Sequence, residues 1–232
     1  QKFGILPHRK PTVRNFVFIR EDTHHLLPKS PKNGDDFFKI MGVKFWYDGS
    51  PYTGSMYLKA PFKLSEVNQK IIHVPVGHAG KALWNQDELI AKIRVYEKDG
   101  WQVAIHTQGD KAIEETLNTF EEAGVSKYSR YRLEHCLLPN DQSIQKMSKL
   151  GVSPSFHINH LWYYGEALET HIIGKERTEK ILPLKKAEDA ALKFSLHADQ
   201  PMFKSEPLSL LHTAVNRKTR DGKTIKENNQ IS

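Results

Sequence analysis

The sequence predicts an α/β fold of repeated strand–helix units, and two observations carry the prediction. Four short apolar runs end in a side chain suited to metal or proton chemistry: WQVAIHTQGD at His106, YRLEHC at His135, VSPSFHINH at His157 and KFSLHAD at Asp199. A cycle of helical sequence, stopping glycine and strand then recurs three times, around Gly100, Gly124 and Gly151. Polar residues at the C-terminal ends of successive parallel strands are where open α/β sheets and β/α barrels build active sites.

Taken in order, the apolar run from Val13 to Ile19 reads as a first strand, and the polar, proline-containing LLPKSPKNGDD as a loop. A second strand is predicted at Gly42 to Tyr47, followed by the turn-rich DGSPYTGS. Asn85 can cap a helix with Asp87 and Glu88 in its first turn and Leu89, Ile93 and Tyr96 as its apolar stripe. Strand WQVAIH follows. A helix from Asp110 to Ala123 carries Ile113, Leu117 and Phe120 and stops at Gly124, and Asp110 reads as a helix-start residue. Tyr131 to His135 is the next strand. Asn140 caps a helix bearing Ile144, Met147 and Leu150. After the strand VSPSF come an aromatic loop, HINHLWYYGE, a polar helical stretch around Lys175 to Ile181, and the strand LKFSLHAD. A last helix starts near Pro207 with Leu208, Leu211 and Val215.

Alternate side chains of a strand face opposite sides. On that parity Lys44 shares a face with Gly42 and Trp46, His106 with Gln102 and Ala104, and Asp199 with Ser195 and His197. These strands turn apolar residues to a helical layer and small or polar ones to a common interior. The strand ending at His135 fits poorly, because the same count turns Arg132 and Glu134 toward the helices, where they are expected to pair.

With 232 residues, 38% of them hydrophobic and 26% charged, the chain has the composition of one sizeable globular domain. The single cysteine, Cys136, excludes an internal disulfide and reads as a buried strand-end thiol, which favours a reducing, cytoplasmic setting. No apolar run reaches the roughly 18 residues of a membrane span, and QKFGILPHRK lacks the core of a signal peptide. The net charge of +7 raises nucleic acid as a partner. However, the basic residues are dispersed among acids, and the densest group, Arg217 through Lys226, reads as a solvated face. The sequence therefore predicts neither a nucleic-acid nor a membrane partner.

Histidine and carboxylate side chains on neighbouring strand ends suit a borderline divalent metal such as zinc, with an open position for water. Singly, each histidine is better read as a packed or hydrogen-bonded strand-end residue than as a ligand. Together, GVKFWYDGSPYTGSM, HTQGDKAIEETL, YRLEHC, LGVSPSFHINHLWYYGE, FSLHADQP and PLSLLHTAVNRKTRDG resemble, in that order, the amidohydrolase superfamily, specifically amidohydrolase family 3, which includes N-substituted formamide deformylases. The resemblance runs from about Asp36 to Lys223. It implies a (β/α)8 TIM-type barrel of the metal-dependent hydrolase kind, incomplete here with about six strands. Residues 1–232 would form a partial catalytic barrel domain without its N-terminal strands and its β-sandwich domain.

By motif, the resemblance implies His106 and His135 as ligands on the fifth and sixth strands. It makes Asp199 an eighth-strand metal contact and general acid/base, and Lys44 a strand-four lysine that bridges two metals when carboxylated. His157 and His160 fall in the family's seventh-strand segment, which is implied to shape the substrate pocket. Trp162, Tyr163 and Tyr164 read as an aromatic pocket wall or equally as core packing, and His197, on the face of Asp199, as orienting substrate or that aspartate. Family members carry an HxH pair on the first strand, yet none of the twelve histidines here is two residues from another. The expectation is thus a metal-dependent hydrolase of carbon–nitrogen bonds in a small amide-like substrate, using one or two zinc ions that this chain alone, lacking the HxH pair, would bind weakly or not at all. A second copy or companion segment would complete the barrel. The alternative is a non-catalytic remnant or binding protein that keeps the pocket without the full metal centre.

Overall fold

The computed structural model describes residues 13–226 and 229–231. Six strands, β1 (Asn15–Arg20), β2 (Phe38–Trp46), β3 (Gln102–Thr107), β4 (Arg132–His135), β5 (Ser153–His157) and β6 (Ser195–His197), pair in chain order, every pair parallel. The sheet curls into part of a TIM-type barrel, with helices packed on its outer face. Parallel strands need crossovers, and helices supply them here: α1 (Gln86–Lys98) before β3, α2 (Asp110–Ala123) before β4 and α3 (Asp141–Leu150) before β5. Their ends follow the sequence. The side-chain oxygens of Asn85 and Asn140 accept first-turn amides, and Gly124 and Gly151 close α2 and α3 in the left-handed conformation.

The segment HINHLWYYGE differs from the loop expected of it. Residues Asn159–Ala167 form helix α4, continued by a π-helical turn, Leu168–Ile172. Aromatic residues and a glycine disguise this helix in sequence. Gly165 is small because the C-terminal segment crosses there: a Cβ would lie 3.0 Å from Thr219 Cγ2 and 3.3 Å from Ile225 Cγ1. Beyond it lie α5 (Lys175–Thr178), shorter than expected, α6 (Leu184–Asp189), which the sequence reading missed, and α7 (Pro207–Asn216). The strand expected through LKFSLHAD is confined to three residues.

Helix α7 also turns a different face inward. Leu210, Thr213 and Ala214 are buried, whereas Leu208, Leu211 and Val215, the expected stripe, are exposed, Leu208 to 81%. Its C-terminus is fixed by a fully buried Arg217. The guanidinium donates to the carbonyls of Ile225 (2.8 Å), Leu182 (2.8 Å) and Ile181 (3.0 Å), and burial pulls its pKa down to about 10.

Register divides the sheet's two faces. Phe45 pairs with Ile105 and Ile105 with Leu133; all three are buried and belong to the core shared with the helices. On the opposite, inner face, Lys44 pairs with Ala104 and Ala104 with Arg132, while Trp46, His106, Glu134, Ser155 and Ser195 form the next row. Arg132 and Glu134 therefore face the interior, not the helices, and pair with each other at 2.8 Å. The parity count failed because it assumed extended backbone at His135.

Ile105→Ala should lower the unfolding free energy by about 2–5 kcal/mol through the cavity it leaves. Leu208→Ala should stay within about 0.5 kcal/mol, the range of exposed sites. Urea denaturation of the two variants checks both the core face and the corrected face of α7.

Candidate active site

The C-terminal ends of β2 to β6 converge. Lys44, His106, His135 and Asp199, the four residues expected to hold metal, line one cavity of about 290 Å3 together with His157 and His160. His197 instead lines an adjoining cavity of about 660 Å3 between β6 and α7, which Asp199 also borders. Trp162 lines neither; its ring lies 6.4 Å from that of His212 on α7.

His135 reaches this cavity by a backbone device. It pairs in register with Thr107 and Phe156, a row that extended strands would direct at the helices. However, His135 and Cys136 have φ of 69° and 45°, and the left-handed turn carries the imidazole to 4.2 Å from the His106 ring and 4.9 Å from that of His197. Left-handed backbone at non-glycine residues costs about 1–2 kcal/mol each. Asp199, at φ 56°, leaves its strand in the same way. Cys136 is fully buried, as expected, and burial pushes its thiol pKa well up.

Five imidazoles form a contiguous cluster. His157 stacks on His197 at 4.9 Å and lies 4.3 Å from His160 and 5.5 Å from His135, all between ring centroids. Burial is the main cause of each pKa shift. It pulls His106 and His157 down to about 4, His197 to about 3, and His135 and His160 well below the ordinary value. Burial thus favours the neutral ring, the form that binds metal. The Nδ1 of His135, the Nε2 of His160 and both ring nitrogens of His157 are buried without a hydrogen bond of good geometry, His157 making only a looser contact with the Ala198 backbone. Ring nitrogens of His135, His157 and His160 lie within 4.8 Å of one another. This donor set fits a divalent ion that accepts imidazole nitrogen, and Lys44 and Asp199 border the same space.

Burial pulls the Lys44 pKa down to about 8, against the charges of Glu134 and Asp199 that raise it. At Asp199, burial raises the pKa and Lys44 lowers it. These opposed environments bring an amine and a carboxyl closer to neutral pH, as acid/base chemistry requires.

Two functional candidates escaped sequence reasoning. Tyr52, in the loop after β2, lies with its Oη 2.6 Å from His160 Nδ1. Asp48, completely buried just past β2, accepts amide hydrogens from Tyr57 (3.0 Å), Gln108 (2.9 Å) and Gly109 (2.9 Å), and its Oδ1 lies 3.8 Å from His106 Nε2. It ties the loop after β2 to the start of α2. Gly109 completes the joint: a Cβ there would fall 1.8 Å from the Tyr57 carbonyl oxygen. The Nε2 of His106 also lies 3.2 Å from the Gly49 carbonyl oxygen, which can only accept, so Nε2 carries the hydrogen and Nδ1 is left free. The one available signal for Asp48 was its position two residues beyond Trp46, on the inward parity. Asp110 opens α2, as expected, and its carboxylate accepts the Lys59 amide at 2.9 Å.

Comparison with known proteins places these residues in context. A family model described as "Amidohydrolase family" matches residues 15–232. The chain is 25% identical over 159 residues to an N-substituted formamide deformylase of Arthrobacter pascens, covering 67% of this chain and 29% of that one. It is 24% identical over 216 residues to the protein LONG AFTER FAR-RED 3 of Arabidopsis thaliana, covering 90% of this chain and 35% of the relative. It thus spans about a third of the length of these relatives. Among solved structures, uncharacterized metal-dependent hydrolases from Pyrococcus furiosus and Pyrococcus horikoshii OT3 superpose with TM-scores of 0.76 and 0.77 at 24% and 22% identity. Each match covers 94% of this chain and 42% of the other. These structures show the same fold.

Burial raises the Asp48 pKa to about 7 in spite of its three amide donors. A carboxyl raised on folding stabilises the folded chain below its unfolded value near 4, and loses that contribution as pH rises toward 7. The stability difference between metal-free wild type and Asp48→Asn should therefore shift against wild type from pH 4 to 7, at a limiting slope of roughly 1.4 kcal/mol per pH unit. Chemical denaturation across that range measures it; a difference independent of pH would show that Asp48 stays ionised throughout.

Proposed function

The chain belongs to the amidohydrolase family, and from that premise we propose that it is the site-bearing part of a metal-dependent hydrolase of carbon–nitrogen bonds in small amide-like substrates. The observation that carries the reading is the convergence of Lys44, His106, His135 and Asp199 on one cavity at the C-terminal strand ends. A divalent ion, zinc by the chemistry of its donors, would polarise the substrate carbonyl and acidify water when bound.

The chain's own groups supply the rest. Asp199, at the cavity mouth with its pKa raised by partial burial, takes a proton at a carboxylate oxygen and returns it to the leaving nitrogen. Lys44 has a neutral-amine fraction at neutral pH that allows carboxylation by carbon dioxide, turning an ammonium that cannot ligate into an anionic oxygen donor. Trp46 and Met202 give the cavity an apolar wall for the substrate's substituent, and His197, stacked on His157, supports that ring. The name of the Arthrobacter relative makes N-substituted formamides the first substrates to try. A second copy or companion segment would cover the edges of β1 and β6, which no strand among the described residues pairs on their outer sides, and the buried lone thiol fits a cytoplasmic setting. No helix among the described residues is long and apolar enough to cross a membrane.

The test is hydrolysis of a panel of N-substituted formamides and simple carboxamides by the chain loaded with zinc or cobalt. Turnover should vanish on chelation and return with metal, and Asp199→Asn should lower kcat by about 10²–10⁴-fold, the usual worth of a positioned general acid/base. Activity indifferent to chelation or to Asp199→Asn would overturn the reading. Tight metal binding without turnover would favour a binding protein that keeps the pocket.

A further inference from the structure

Buried imidazole nitrogens demand partners, because an unpaired polar atom inside a protein costs about 1–3 kcal/mol. His157 is 1% exposed, and neither of its ring nitrogens makes a hydrogen bond of good geometry. The nearest groups able to share a ligand with it are His135, delivered by its left-handed turn, and His160, three residues on at the start of α4. Nitrogens of the three rings already lie within 4.8 Å of one another, and all three rings line the same cavity. Ligand nitrogens of a tetrahedral zinc site with bonds of about 2.1 Å stand roughly 3.4 Å apart. From separations of no more than 4.8 Å, the rings need close by at most about 1.4 Å.

His160 is also oriented for the purpose. Its Nδ1 shares a hydrogen bond with Tyr52 Oη at 2.6 Å, while its Nε2 is buried and bare. With Nδ1 donating to the tyrosine oxygen, the lone pair on Nε2 is free for a ligand, an outer-sphere arrangement common in histidine metal sites. The Tyr52 ring is itself held against Tyr164 at 4.2 Å, so the orientation is fixed by packing.

We infer that His135, His157 and His160 form a three-histidine site for one borderline divalent ion such as zinc, with Tyr52 as its outer-sphere positioning residue and a fourth position open to the cavity. This set does not require Lys44, His106 or Asp199. It lets the chain hold a single ion with its own residues. The inference deepens the reading of the chain as a metal-dependent hydrolase, and it can fail while that reading stands.

The test uses the whole chain. Calorimetric titration with zinc should give one tight site, and imidazole nitrogen NMR of the wild type should show His135, His157 and His160 shifting together on zinc addition. Cobalt should give the visible absorption of a low-coordinate nitrogen site. His157→Ala and His160→Ala should lose zinc affinity by more than the about 10–100-fold expected of Tyr52→Phe, an outer-sphere loss. His171→Ala and His212→Ala, exposed and outside the cavity, should stay within a few-fold of wild type, on the order of the scatter between independent sites. Absence of zinc binding by the wild type, or NMR shifts confined to His106 and His135, would overturn the triad. Zinc kept by His157→Ala but lost by His106→Ala would do so too, while leaving the hydrolase reading intact. The wild-type NMR result holds even if one variant fails to fold.

Discussion

Residues paired in register across a parallel sheet share a face, and this constraint decides what the site can contain. Lys44, Ala104 and Arg132 form one inward row, and Trp46, His106, Glu134, Ser155 and Ser195 the next. Everything in the cavity is a member of these rows or of the His157–His197 pair beyond them, a residue past a strand's end, or an exception with its own backbone solution. His135 is the exception. Its row belongs to the helices, and only the left-handed turn at His135 and Cys136 brings it across the sheet. A protein that stores strain at one strand end gains a cluster of rings that regular strands could not assemble.

Asp48 gives that arrangement its rigidity. One buried carboxyl gathers amides from the loop after β2 and from the β3–α2 junction, so the two walls around His106 are tied at a single residue. The charges deeper in the half-barrel are arranged differently. Arg132 and Glu134 neutralise each other, leaving Lys44 near two carboxylates but in direct ion pairing with neither. A lysine so placed is more easily deprotonated than one held in a close ion pair.

Much of the fold was legible because periodicity and capping report local physics. The bounds of α2, the asparagine caps of α1 and α3 and the closing glycines follow from side-chain chemistry that acts within four residues. The gathering of strand-end residues was legible for the same reason. What escaped depended on contacts far apart in sequence: the helical state of Asn159–Ala167, secured by packing against Thr219 and Ile225, the inward face of α7, and the roles of Tyr52 and Asp48. The misplacement of Arg132 and Glu134 has a narrower cause. Parity counting assumes extended backbone, and no residue type in YRLEHC announces the left-handed turn at its end.

The junction built by Arg217 behaves unlike the rest of the molecule's electrostatics. A surface pair such as Lys146 with Glu121 joins an ammonium to a carboxylate whose pKa that ammonium pulls down, and weakens when acid protonates the carboxylate. Arg217 is held by three main-chain carbonyls, which have no proton to gain in that range, and it stays charged throughout. The seam joining the end of α7 to the Ile181–Leu182 turn is therefore insulated from acidification, and strong acid would break surface pairs such as Lys146–Glu121 while leaving this knot in place.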